Sequence, residues 1–216
     1  MNRFVFHGHP LVLHPDSAVF LEKTGDLVVS DVHLGKAATF RARGIPVPEG
    51  DAERDLTRLV NLAAETGARR LIVAGDLFHA PGGITPEIES AVAGFLTNLR
   101  IPLMLVGGNH DDKLRSLPAG LSSVPSFESG GVRFVHDPAD AEGPEFHIAG
   151  HLHPVVRIKD GKRTSLRLPC FLLRGNLLVL PSFGSFTGGA KVDPQPGDRA
   201  FVTLRDRVVE VPLTRS

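Results

Sequence analysis

Five short apolar runs in this sequence end in side chains that bind cations. VVSDVH delivers Asp31 and His33, LIVAGD delivers Asp76, LMLVGGNHD delivers Asn109 and His110, RFVHD delivers His136, and FHIAGHLH delivers His151 and His153. A lone histidine after a strand is usually structural, but five such endings in one chain call for a common purpose. Carboxylate, imidazole and amide oxygen without thiolate suit manganese, iron or zinc rather than copper(I) or an iron–sulfur cluster. Asp31, His33, Asp76, Asn109, His136, His151 and His153 are too many ligands for one ion that must also keep a position open for water. The set therefore reads as a site for two divalent ions, with Asp76 as the natural bridge. Two such ions about 3.5–4 Å apart polarise a phosphoryl group, acidify a water and steady a leaving oxygen. Phosphoester hydrolysis is the chemistry to expect.

To converge, these side chains need elements that share a rim. The β-rich apolar segments 18–21, 27–29, 71–74, 103–106, 132–135, 146–149, 177–180 and 201–204 read as buried strands. Two helical patterns lie between the second and fourth of them. Leu56, Leu59, Val60 and Ala63 form the stripe of one. The other has Thr85 to cap it, Pro86 in its first turn, and Ile88, Val92, Phe95, Leu96 and Leu99 on its buried face. From residue 27 to 106 the order is βαβαβ, which gives parallel strands and a ligand-gathering rim at their carboxyl ends. After Gly120 the helices stop. Turns at Ser129-Gly130-Gly131, Asp160-Gly161-Lys162 and Arg174-Gly175-Asn176 suggest a second, more antiparallel sheet packed on the first. The expectation is one α/β domain over residues 1–216, with His7, His9 and His14 in an amino-terminal strand and its turn.

Composition narrows the classes further. With 216 residues, 42% of them hydrophobic, the chain can bury its own core. No apolar run approaches the ~18 residues that cross a bilayer, and the opening MNRFVFHGHP lacks a signal-peptide centre, so a cytoplasmic protein without membrane contact is expected. The single cysteine, Cys170, excludes an internal disulfide and any sulfur-held zinc. Lysine plus arginine and aspartate plus glutamate are both 24, so nucleic-acid binding would have to rest on local clusters.

The ordered pattern Asp31-x-His33, Gly75-Asp76, Gly108-Asn109-His110-Asp111, His136 and Gly150-His151-x-His153 resembles the calcineurin-like metallophosphoesterases over most of the chain. The resemblance implies their fold, a sandwich of two mixed β-sheets flanked by helices. It implies one metal on Asp31, His33, Asp76 and His153, and another on Asp76, Asn109, His136 and His151. His110 would protonate the leaving oxygen or stabilise the transition state, and Asp111 would orient it. Asp137-Pro138 follows His136 where the family often has glycine, but His136 closes a strand and His147 lies inside one, which favours His136 as ligand.

A finer similarity covers Asp31 to Pro48, Gly75-Asp76-Leu-Phe-His79, Arg167-Leu-Pro-Cys170-Phe and Leu180-Pro-Ser-Phe183-Gly-Ser-Phe186-Thr-Gly-Gly189. These segments resemble the ligase-associated, DNA-damage-response endonucleases of bacterial repair clusters. That likeness implies manganese-dependent internal cleavage of single-stranded DNA, with a helicase, an exonuclease and a ligase as possible partners. From the residues themselves, Lys36, Arg41 and Arg43 follow the first metal motif and offer phosphate contacts, and His79 stands close enough to Asp76 for a substrate role. Arg157, Lys159, Lys162, Arg163, Arg167 and Arg174 follow the last motif, and solvated surface is the competing reading of both clusters. Phe40, Phe183 and Phe186 either stack on unpaired bases or anchor loops into the core. The alternatives are a phosphatase or pyrophosphatase for a small nucleotide or lipid ester, and a non-catalytic scaffold of the same fold.

Overall fold

The computed structural model of the protein describes residues 2–160 and 164–213. An antiparallel meander opens the chain: β1 (Asn2–Phe6), β2 (His9–His14), β3 (Ala18–Leu21) and β4 (Asp26–Val29). His7 makes the first turn, while His9 and His14 begin and end β2, as expected. Then follow α1 (Lys36–Ala42), α2 (Asp51–Thr66), β5 (Arg70–Ala74), α3 (Pro86–Asn98), β6 (Leu103–Val106) and β7 (Ser123–Val124). Strands β4, β5, β6 and β7 are mutually parallel, so the βαβαβ reading holds. Thr85 caps α3 by accepting from the Ile88 amide at 3.4 Å. The short α1 went unread because its seven residues carry no apolar stripe long enough to show a helical period.

The second sheet contains β8 (Phe127–Ser129), β9 (Val132–Phe134), β10 (Phe146–Ala149), β11 (Pro154–Asp160), β12 (Thr164–Arg174), β13 (Leu177–Val179), β14 (Ala190–Lys191), β15 (Arg199–Thr203) and β16 (Val208–Val211). Its path runs β14-β11-β12-β13-β10-β9-β8, with β15 joined to β12 and β16 to β15. Most pairs are antiparallel, but β10 is parallel to both β9 and β13, which aims the ends of β9 and β10 at one rim. The turns at Ser129–Gly131 and Arg174–Asn176 are where the sequence put them, whereas Asp160-Gly161-Lys162 falls partly outside the described residues. Among the described residues no helix is long and apolar enough to cross a membrane.

Alternation along the strands sorts three layers. Leu27, Val29, Leu71 and Val73 face the helices and pack with Leu56, Leu59, Val92 and Phe95. Val28, Ile72 and Ala74 face the second sheet and pack with Phe134, Phe146, Ile148 and Phe201. Both long helices cover the first sheet alone. The outer face of the second carries a smaller cluster of Val156, Cys170, Leu172, Val192 and Val202, because hairpins rather than helical crossovers join most of its strands.

One loop ties the layers together near the rim. Phe183 and Gly184 donate their amides to the carbonyls of Ser30 and Asp31 at 2.9 and 3.1 Å. From α2, buried Asp55 accepts the Ser185 amide at 2.8 Å and its hydroxyl at 3.1 Å. Arg58 lies 4.2 Å over the Phe183 ring and donates to its carbonyl at 3.1 Å. Replacing Asp55 by alanine strands the Ser185 amide, and chemical denaturation should record a loss of about 1–3 kcal/mol. An unchanged midpoint would show that the brace contributes nothing.

Candidate metal centre

Each candidate ligand sits just past the end of a strand. Asp31 and His33 follow β4, Asp76 follows β5, Asn109 and His110 follow β6, His136 follows β9, and His151 and His153 follow β10. Backbone bonds knit these loops: Asp31 N–H to Gly75 at 3.0 Å, His33 N–H to Asp76 at 3.0 Å and Gly150 N–H to His136 at 3.1 Å. Asp31, His33, Asp76, His151 and His153 all hold left-handed backbone, with φ of 55, 54, 52, 70 and 43°. For non-glycine residues this conformation costs about 1–3 kcal/mol each. Among the described residues only His7 and Ser17 share it outside glycine, so the strain is concentrated where side chains must converge. The motif glycines answer to the same crowding: a Cβ on Gly75 would collide with the His136 ring, and one on Gly108 with the Asp76 carboxylate.

The ligand atoms fall into two groups. Those of Asp31, His33 and His153 lie within 4.8 Å of one another, as do those of Asp76, His136 and His151. In the first, His153 Nε2 is 3.0 Å from Asp31 Oδ1 and 3.3 Å from His33 Nε2. In the second, His136 Nε2 is 3.4 Å from Asp76 Oδ2, 3.1 Å from Asn109 Oδ1 and 3.2 Å from His151 Nδ1. Asp76 Oδ2 is also 4.0 Å from His33 Nε2, so one oxygen faces both groups, while Oδ1 accepts the His110 amide at 2.8 Å.

The donor chemistry of the centre fits a cation. His136 Nδ1 donates to the Ala74 carbonyl at 3.1 Å and His153 Nδ1 to the Gly188 carbonyl at 3.1 Å, because a carbonyl can only accept. In its neutral form each of these rings keeps a lone pair on Nε2, which faces Asp31 Oδ1 in His153 and Asp76 Oδ2 in His136. Burial lowers the His33 pKa to about 3 against the pull of Asp31 and Asp76, so that ring serves as a neutral ligand. Burial also opposes charge on His136, yet the hydrogen bond and charge of Asp76 outweigh it and raise its pKa to about 9. The second group thus draws in a positive charge, which a divalent ion supplies in place of the proton.

Around the ligands, His110 Nδ1 meets the His79 carbonyl at 2.5 Å, which leaves Nε2 for another partner, and ring nitrogens of His33, His79 and His110 lie within 4.8 Å of one another. The resemblance gives Asp111 the task of orienting His110; its buried carboxylate instead accepts the amides of Leu77, Phe78 and Gly108 at 3.2, 2.9 and 3.2 Å. Asp111 therefore fixes the Asp76 loop against the Asn109 loop, and the His79 carbonyl orients His110. The His79 ring stacks 5.0 Å from that of His110, its pKa lowered to about 4 by burial and then by Lys36. Lys36 lies half-buried beside Asp31, burial lowering its pKa against that carboxylate's pull.

The basic clusters separate. Arg41 and Lys36 lie on α1 rather than in a loop, and Arg43 caps it, exposed, with a charge that reaches His79. Arg41 turns back to the carbonyls of Val47 and Pro48 at 3.4 and 3.2 Å. Arg174 is not near the rim at all: it pairs with Asp198 at 2.7 Å beside the β12–β13 turn. Arg167 reaches the Gly189 carbonyl and Arg157 the Ser165 hydroxyl at 3.0 Å. Lys162 and Arg163 lie outside the described residues, as does the Lys159 side chain. His147 is fully buried within β10 and meets the Glu142 carbonyl at 3.1 Å, away from the cluster. Two contacts escaped the sequence reading. One is the Gly188 carbonyl on His153, and the other is Asp137, whose Oδ2 stands 3.7 Å from His151 Nε2. The Asp137-Pro138 departure was the visible signal for the second.

Elemental analysis of protein purified with manganese should give close to two equivalents, falling to one or fewer in Asp76→Ala because both groups lose an oxygen. Full metal content in that variant would overturn the shared-carboxylate arrangement. His153→Ala, which touches one group only, should lose one equivalent.

A family model for calcineurin-like phosphoesterases matches residues 27–164. Among solved structures the chain is similar to the Pseudomonas putida nuclease MPE, with 31% identity and a TM-score of 0.78 over 97% of this chain and 99% of that one. It is also similar to YfcE, a phosphoesterase from E. coli, at 15% identity and a TM-score of 0.46 over 86% of this chain and 97% of that one. No match was found among curated protein sequences. The family model spans the Asp31, Asp76, Asn109, His136 and His151 loops that carry both ligand groups. The chain belongs to the calcineurin-like phosphoesterase family and is a metal-dependent phosphoester hydrolase.

Proposed function

We propose that this enzyme is a manganese-dependent endonuclease that cuts single-stranded DNA internally. The observation that carries the reading is the likeness to a nuclease along 97% of the chain, not only across the metal loops. The centre adds support of its own. It is rich in imidazole, which suits manganese better than magnesium, a cation that favours oxygen and water. When bound, divalent ions polarise the phosphoryl group and lower the pKa of water.

The chain's own residues do the rest. Lys36 and neutral His79 border the face that His33 and His110 share, where a phosphodiester oxygen can be held. His110, its Nδ1 fixed on the His79 carbonyl, presents Nε2 to hold the proton that the leaving oxygen takes. Asp76 keeps the His110 amide in place, so the proton donor and the ligand cluster share one anchor. A flexible single strand can bring its backbone to such a rim. A stiff duplex spreads its phosphates along a rigid cylinder and meets the rim with few of them.

Circular single-stranded DNA should be cut with manganese while relaxed duplex circles persist, and magnesium should support less cleavage. Equal cutting of the duplex would remove the single-strand preference, and hydrolysis of small nucleotides without cutting of either circle would replace the endonuclease reading with that of a small-ester phosphatase. Changing His110 to alanine should leave the bound metal in place and slow DNA cleavage by about 10²–10⁴-fold. That loss should shrink on a nitrophenyl diester, whose leaving group needs no proton. Equal losses on both substrates would assign His110 to electrostatic stabilisation instead.

A further inference from the structure

A file of rings runs outward from the centre. His110 and His79 stack at 5.0 Å, His79 and Phe40 at 6.4 Å with planes 27° apart, and Phe186 meets Phe40 edge-on at 5.6 Å and 87°. Phe186 is 39% exposed, whereas Phe183, three residues earlier in the same loop, is 2% exposed. Phe183, with Arg58 and Asp55, already fastens this loop to α2, so Phe186 is not needed as an anchor. Phe186 is instead held edge-on to Phe40 on a braced loop and keeps part of its ring open to solvent, where a flat partner can reach it. Exposed Ile45 is tied to the same place, donating its amide to the Phe40 carbonyl at 3.1 Å.

Beyond Phe186 opens a cleft of about 400 Å³ whose walls include Val47, Pro48, Arg54, Arg58, Asp51 and Asp55. Its two arginines are matched by two aspartates, and Arg58 is bound to Asp55 at 2.8 Å. A cleft without net charge suits a base and its sugar better than a second phosphate. We propose that Phe40 and Phe186 form a base subsite that takes one unpaired nucleobase next to the scissile phosphate. The proposal rests on the single-stranded DNA reading and adds that the enzyme recognises a base as well as the backbone. A paired base, stacked between its neighbours, cannot enter, so the subsite itself discriminates against duplex.

The test uses manganese-loaded enzyme and one single-stranded oligonucleotide, intact or with a single abasic residue moved along it. In the wild type, KM should rise roughly 5- to 100-fold when the abasic residue lies beside the cut bond. Phe186→Leu, which keeps an apolar side chain but has no π-face, should show that rise on the intact strand and little further rise on the abasic one. Phe186→Trp should restore tight binding. A 2-aminopurine at the sensitive position should lose fluorescence on binding wild type and Phe186→Trp but not Phe186→Leu. If Phe186→Leu keeps the wild-type KM, or its loss multiplies with the abasic loss, the subsite is overturned while the endonuclease reading stands. If wild-type enzyme hydrolyses a nitrophenyl diester but leaves single strands intact, both fall.

Discussion

Asp76 stands where the two sheets meet, and the arrangement of the centre depends on the position of its carboxylate. Oδ1 is held by the His110 amide from the loop after β6, and Oδ2 faces His136 from the second sheet and His33 from the first. Four loops therefore share one small anion. Gly75 and Gly108 lack side chains because the His136 ring and that carboxylate occupy the space a Cβ would need. Asp111, buried beneath, holds the same two loops together through three backbone amides. Two buried carboxylates in one cluster need a compensating positive charge, which a divalent cation would supply in place of the proton on His136.

The fold supplies the rigidity that this requires. Left-handed backbone at five ligands raises the energy of the folded state, and it persists only where surrounding structure leaves no alternative. Two apolar layers do so here, one between the sheets and one under α2 and α3. The brace from Asp55 and Arg58 through Phe183 to the Ser30–Asp31 carbonyls carries that rigidity from a helix to the first ligand loop. The same loop continues to Gly188, whose carbonyl turns His153, so helix packing and ligand orientation are linked through one segment.

A chain with no formal net charge can still engage a polyanion if its cations are concentrated at the rim. Lys36 and Arg43 fit that description, being near His79 at the mouth of the centre. Arg41 and Arg174 do not, since one closes a loop and the other neutralises Asp198 at the far end of β12. Beside these cations, aromatic surface is a second thing the rim can offer a nucleic acid.

The sequence by itself pointed to the candidate ligands and determined the βαβαβ core and the capped start of α3. Strand periodicity and the chemistry of Asp, Asn and His are local properties, readable within a few residues. It also contained the second sheet's hairpin turns, since Gly-rich turn chemistry is local too. Only the tertiary structure decided which of two like phenylalanines in one loop is core and which is surface, because burial depends on what α2 brings to Phe183 and not to Phe186. It likewise assigned Asp111 to backbone amides 33 and 34 residues away, Arg174 to Asp198, and Asp137 to the neighbourhood of His151. A carboxylate or guanidinium satisfies whichever partner packing sets beside it, and that choice is made across the chain rather than along it.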